Sequence, residues 1–119
     1  MKIINRNDCV EFVAQEKAIV RELVSPGNSS IKNQSIAEVR IRSGESVLDH
    51  FHQKTEEVCY ILSGRGQMYL ESETETVGPG DAIIILPGQR HKITSHSQED
   101  LVMLVVCSPS YTDDDQILL

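Results

Sequence analysis

The chain has 119 residues and a formal net charge of −7, with 18 acidic against 11 basic side chains. That length fits one domain around one core. The acidic balance argues against nucleic acid or an anionic membrane as partner, since both demand clustered Lys and Arg. Trp is absent and Phe occurs only twice, so the core must come from Ile, Val, Leu and Met, and the β-branched pair among them favours strands.

Met1–Asp8 lacks the apolar run of a signal peptide. The cysteines, Cys9, Cys59 and Cys107, are far apart, odd in number and without CxxC spacing, which suits reduced thiols in a cytoplasmic protein. Glu11–Val24 has the composition of a helix, but Ala18–Val24 also suits a strand; the segment is read as two short strands around a turn at Gln15–Lys17. Ser25–Ser30 is a loop. Ala37, Val39 and Ile41 alternate with Glu38, Arg40 and Arg42, the period of a half-buried strand. Ser43-Gly44 turns the chain. Glu57–Leu62 predicts a strand, Ser63-Gly-Arg-Gly66 a glycine hairpin, and Gln67–Glu71 the returning strand. Gly78-Pro-Gly-Asp81 is a tight turn, and Ala82–Leu86 reads as a strand buried on both faces. After a turn at Pro87-Gly88 come strands at Arg90–Ser95 and Leu101–Val106. The longest apolar run, Leu101–Cys107, is far too short to span a bilayer. Short strands recurring every ~8–12 residues with glycine turns between them indicate an all-β sandwich or barrel. Ser108–Leu119 reads as a loose acidic end, although its Ile-Leu-Leu could clasp a sheet edge or a neighbouring subunit.

Four side chains stand out for chemistry. His50 and His52 are two apart, so on a strand both imidazoles share a face. Glu57 is in phase with Cys59 and Ile61 and opposed to Val58, Tyr60 and Leu62. Glu56 therefore points away, and only one of the adjacent glutamates can be a ligand. His91 is in phase with Ile93 and Ser95, whereas His96 is out of phase and reads as a solvated turn residue. Three imidazoles and a carboxylate suit a divalent first-row metal and leave coordination positions open. A lone His-x-His also arises by chance on surfaces, so spacing alone leaves the site open.

The segment Gly44–His91 resembles the cupin superfamily. The first cupin motif asks for Gly, His-x-His, Glu and Gly, met here by Gly44, His50, His52, Glu57 and Gly64 with every spacing kept. The second asks for Gly, Pro-x-Gly, His and Asn. Gly80, Gly88 and His91 are in place, but Leu86 stands where proline is expected, with Pro87 one position later, and Ser95 stands where Asn is expected. Neither departure falls on a ligand; they bear on the turn and on the surroundings of the site. The resemblance implies a double-stranded β-helix, or jelly-roll barrel, of about six to eight strands. It implies a single cupin domain over residues 1–119, with a barrel core at about 34–107 and a C-terminal tail at 108–119. It also implies one divalent metal ion per chain (Mn, Fe, Ni or Zn) on His50, His52, Glu57 and His91, and a homodimer.

Such a site suits a metal-dependent enzyme acting on a small organic substrate, as a dioxygenase or by isomerase, lyase or cyclase chemistry. The alternative is a non-catalytic cupin that binds a small molecule and keeps a structural metal. The whole chain is similar to small stand-alone bacterial cupins compared with sugar-phosphate isomerases (RmlC-like), a fold-level likeness that does not name a substrate. Candidate pocket residues are Cys59, Ile61, Ile93, Met103 and Arg40. Cys59 either fills the core as a small hydrophobe or lines the pocket. Arg40, with Arg42, either anchors an anionic substrate inside the barrel or is wet, and Ile61, Ile93 and Met103 equally suit core packing. Tyr60 is expected on the opposite face, at a sheet or subunit contact. Gly64-Arg-Gly66 lacks the helix and the Lys-Ser/Thr of a phosphate loop.

Overall fold

The computed structural model describes Met1–Leu119. A 3-10 turn at Arg6–Asp8 leads into β1 (Glu11–Val13), β2 (Ile19–Val24), β3 (Ser35–Ile41), β4 (His50–His52), β5 (Glu56–Ser63) and β6 (Gly66–Leu70). Then follow β7 (Glu73–Val77), β8 (Ala82–Ile85), β9 (His91–Ser95), β10 (Leu101–Ser108), a 3-10 turn at Asp113–Asp115 and β11 (Gln116–Leu118). Every pairing is antiparallel. One sheet has six strands in the order β1-β2-β3-β10-β5-β8, the other five in the order β11-β4-β9-β6-β7. No helix is long and apolar enough to cross a membrane.

Side-chain alternation builds the core. On β5, Glu57, Cys59 and Ile61 are buried while Glu56, Val58, Tyr60 and Leu62 are exposed. On β10 and β3 the inward residues are Leu101, Met103, Val39 and Ile41; Met68 and Ile93 meet them from the five-stranded sheet. This is the jelly roll expected from the sequence. The two short strands around Gln15–Lys17 are present as β1 and β2, with Lys17 at φ 79° in the turn between them.

Four expectations are corrected. Ser63–Gly66 is not a hairpin, because β5 and β6 belong to different sheets; the glycines turn a corner between layers. Ala82–Ile85 is not buried on both faces. It is the edge strand of the six-stranded sheet, with Ile85 1% and Ile84 66% exposed, since only one face of that sheet, at its centre as at its edge, meets the core. β7 was unforeseen: Glu73-Thr-Glu-Thr-Val77 is polar, almost wholly exposed, and follows a turn without Gly or Asn. With β1 and β11 it takes the count beyond the expected six to eight.

The tail is the fourth correction, since it is not loose. β11 pairs with β4 along Gln116–Leu118. The Asp115 carboxylate accepts the backbone N–H groups of Lys54 at 2.8 Å and Thr55 at 3.1 Å. Thr55 Oγ1 donates to the Pro109 carbonyl at 2.9 Å, and the Tyr111 N–H donates to Ser35 Oγ at 2.9 Å. These bonds satisfy backbone donors beside β4 that would otherwise need water.

The layer corner makes a specific demand. A Cβ on Gly64 (φ +81°) would lie 2.3 Å from the Asp100 carbonyl oxygen and 2.9 Å from Leu101 Cα. Gly44 has the same φ with nothing within 4 Å. Gly44→Ala is therefore expected to cost only the left-handed backbone penalty, about 1–2 kcal/mol. Gly64→Ala should add overpacking of roughly 1–3 kcal/mol. Urea unfolding of the two variants measures this, and equal midpoints would show that the corner yields freely.

Candidate metal centre

β4 and β9 are neighbours, and His50 sits directly opposite His91 in their register. His52, two residues along β4, points to the same side. The five-stranded sheet thus delivers three imidazoles, with ring centroids 4.3 Å (His50–His91), 5.3 Å (His50–His52) and 5.5 Å (His52–His91) apart. Glu57 comes from the six-stranded sheet, where β5 runs between β10 and β8. All four side chains are buried. Beside the paired histidines, Arg90 Nε donates to Asp49 Oδ2 at 2.6 Å, an exposed pair that braces β4 against β9.

The imidazoles are oriented as ligands. His50 Nδ1 donates to the Leu48 carbonyl at 2.7 Å and His91 Nδ1 to the Gln89 carbonyl at 2.9 Å. Each bond fixes the tautomer and leaves Nε2 as an inward lone pair. His52 Nε2 lies 3.6 Å from Glu57 Oε1, and His91 Nε2 lies 3.5 Å from Glu57 Oε2. His91 Nε2 and both nitrogens of His52 are buried with no hydrogen bond of good geometry. Buried polar atoms rarely go unpaired. A cation with bonds of about 2.1 Å to nitrogen and oxygen spans gaps of this size and answers the orphaned atoms. The three histidine ligand atoms fall within 4.8 Å of one another, and the donor set suits Mn, Fe, Ni or Zn.

Electrostatics follow the burial. Desolvation, with the nearby His91, holds His50 below the ordinary imidazole range; desolvation likewise lowers His52, against the pull of Glu57. At His91 burial is outweighed by the Glu57 carboxylate, which raises it. Glu57 itself is pushed up by burial but pulled further down by the imidazoles, His91 first. Two thiols complete the surroundings: Cys59 Sγ donates to Glu57 Oε2 at 3.7 Å and Cys107 Sγ to Glu57 Oε1 at 3.8 Å. Burial, then the Glu57 charge, raises both thiols, so they stay protonated and act as donors.

The centre opens on an apolar cavity of about 100 Å³ between the sheets. Of the residues proposed for a pocket, Cys59, Ile93 and Met103 line it. Ile61 does not: it is fully buried and packs in the core. Arg40 does not either. Val39 and Ile41 face inward, so Arg40 points outward and pairs with Asp100 and Glu11, each at 3.2 Å. Tyr60 is on the outer face, and His96 is exposed as expected. Reading the sequence missed Tyr111, Gln116 and Glu16, which also line the cavity. The Tyr111 ring stands 6.1 Å from His52, edge to face, and Gln116 Nε2 donates to Glu16 Oε2 at 3.0 Å. For Tyr111 and Gln116 the one sequence signal was the apolar end of the tail, which hinted at a clasp without saying onto what; Glu16 had none.

Comparison with known proteins identifies the family and the shared fold. Residues 37–107 match the family model described as Cupin domain. An uncharacterized protein of Methanocaldococcus jannaschii is 36% identical over 91% of this chain and 86% of its own. The polyketide cyclase RemF from Streptomyces resistomycificus superposes with a TM-score of 0.80 at 25% identity, over 97% of this chain and 89% of that one. Pac13 of Streptomyces, a nucleoside dehydratase, gives a TM-score of 0.80 at 18% identity, over 100% and 91%.

The imidazole shifts carry a sign for the metal-free protein. With His50 and His52 lowered, the unfolded chain binds protons below about pH 6.5 that the folded chain refuses, so stability falls with the pH. His91 acts oppositely: its raised value stabilises at low pH and is lost as pH climbs through it. The opposed contributions are separated by variant: the urea midpoint of chelator-treated protein is compared at about pH 5.5 and about pH 7.5, and His91→Gln should steepen its fall toward acid. Replacing His50 and His52 by Gln should flatten that fall. An unchanged slope in the double variant would place the acid sensitivity elsewhere.

Proposed function

The chain belongs to the cupin family, and we propose that it is a metal-dependent enzyme acting on a small organic molecule. One observation carries this reading: three buried imidazoles with orphaned or free Nε2 atoms meet a buried carboxylate at the wall of an apolar cavity. His50, His52, Glu57 and His91 would hold the ion. A divalent cation there supplies Lewis-acid polarisation of a substrate oxygen and charge to stabilise a developing oxyanion. The protein's own contribution is legible in its bonds. The Leu48 and Gln89 carbonyls lock two rings. The Cys59 and Cys107 thiols hold the Glu57 carboxylate toward the imidazoles. The apolar walls exclude water and so strengthen every charge interaction inside.

Two structures that share the fold are named as a dehydratase and a polyketide cyclase. Dehydration and ring closure rearrange bonds without net oxidation. They support placing lyase or cyclase chemistry ahead of the dioxygenase.

Metal analysis of protein prepared without chelator should return one divalent ion per chain, and His50→Gln with His52→Gln should abolish it while the circular dichroism of the fold persists. No uptake of Mn, Fe, Ni or Zn by the parent protein would end this reading. Turnover of a diol, phenol or thiol panel by the Fe(II)-loaded protein without oxygen consumption supports the lyase or cyclase branch. Stoichiometric oxygen uptake would move the chemistry to the dioxygenase.

The homodimer also belongs to this reading. Val58, Tyr60, Leu62 and Ile84 present apolar side chains on the outer face of the six-stranded sheet, and β8 leaves that sheet with an unpaired edge. A second copy related by a two-fold axis presents the same edge antiparallel and covers the same patch. Sedimentation equilibrium should give a dimer for the parent chain and a monomer for Tyr60→Glu with Ile84→Glu. A monomeric parent removes the proposal.

A further inference from the structure

The cavity beside the metal centre has no lysine or arginine in its walls. Arg21 and Arg40, the cations on β2 and β3, both turn to the outside and meet Glu11 there. The carboxylates that do line the cavity are Glu16, Glu22 and Glu57. Away from the proposed metal, an anionic group entering it would lose its water and meet fixed negative charge with no cationic side chain to receive it; only the ion itself could hold one. An organic cation would fare little better at depth, for Glu16 is bonded to Gln116 Nε2 at 3.0 Å and Glu57 is taken up by two thiols and the proposed metal. The remaining surface is hydrocarbon, chiefly Val39, Ile41, Val47, Ile93, Met103 and Val105.

Size narrows the class further. A closed apolar cavity of about 150 Å³ accepts benzene, and this one, at about 100 Å³, is open at one side. Phe12, Glu22 and Tyr111 line both this cavity and a wider outer groove, so substituents on a buried ring have a way out.

We infer that, beyond whatever group meets the metal, the site takes a neutral, apolar part of its substrate about one six-membered ring in size, and that its hydrocarbon walls exclude a phosphate or carboxylate carried there. This rests on reading the cavity as the substrate site of the proposed enzyme. It also argues against a sugar phosphate whose phosphate would sit against those walls, which the fold alone would allow.

Phenol, benzoate and benzylamine carry the same ring with charges near 0, −1 and +1 at neutral pH, and they test the inference directly. Each is titrated into chelator-treated, methyl-labelled protein, so that a carboxylate cannot bind merely as a metal ligand, and the Ala37 and Met103 methyl shifts are followed. Phenol should shift both methyls and bind at least about tenfold tighter than either charged probe. Filling the cavity with Ala37→Leu, or with Ala14→Leu should the first not fold, should remove phenol binding and leave metal uptake in place. Benzoate binding as tightly as phenol, benzylamine binding tightest, or no probe shifting the cavity methyls would each overturn the inference. Metal uptake measured on the same preparations separates the two readings. Retained metal with no phenol binding removes the neutral-ring inference alone; phenol binding without metal uptake removes the enzyme reading and leaves the charge preference of the cavity standing.

Discussion

The structure turns on one buried charge. An ionised carboxylate between two apolar sheets costs several kcal/mol unless compensating groups reach it. Glu57's own sheet offers only thiols, Cys59 from the same strand and Cys107 from β10. The imidazoles come from the opposite sheet and reach Glu57 through a shared cation or proton, so compensation exists only when the two layers are correctly stacked. A one-residue slip of β5 would turn Glu57 out to solvent and Val58 inward; the same slip of β4 would bury Phe51 in place of two histidines. Register, layer packing and the candidate metal centre are therefore one constraint, met or lost together.

The ends of the chain serve that constraint. β4 is only three residues long and pairs with β9 at a single position, His50 with His91. Left as an edge it would fray and carry two of the candidate ligands with it. β11 covers that edge, Asp115 takes up the adjoining Lys54 and Thr55 N–H groups, and the exposed Asp49–Arg90 pair braces the other side. The tail that closes the sheet also brings Tyr111 and Gln116 to the cavity, so one segment both supports the ligand strand and shapes the room beside it.

How far the sequence could be read follows from the range of each interaction. Period-2 burial is local, and it placed Glu57, Cys59, His91 and Ile93 on inward faces. The Pro87-Gly88 turn survives its shifted proline, with Gly88 at φ 81° and the Gln89 N–H on the Leu86 carbonyl at 3.2 Å. What failed was long-range. Ala82–Ile85 looked buried because a run of isoleucines does not say whether both faces of its sheet are covered. Ser63–Gly66 looked like a hairpin because glycine marks a sharp turn without saying whether the chain stays in its sheet. Arg40 was left between an inward and a wet reading, and the inward phase of Val39 and Ile41 decided it. The tail was misread as loose because its partners, Ser35, Thr55 and Glu16, are distant in sequence and chemically unremarkable on their own.

The two thiols show why proximity does not make a ligand. A cysteine coordinates as thiolate, and burial next to a carboxylate pushes its proton loss out of reach. Cys59 and Cys107 each donate to a different oxygen of Glu57, while the nitrogens with free lone pairs approach those same oxygens from the opposite sheet. The donor set thus divides by position. Nitrogen and oxygen are presented to an incoming cation, and protonated sulfur stands behind the carboxylate and aims it. That division keeps the centre suited to divalent first-row ions rather than soft ones, even though two of the chain's three cysteines lie within about 4 Å of a proposed ligand atom.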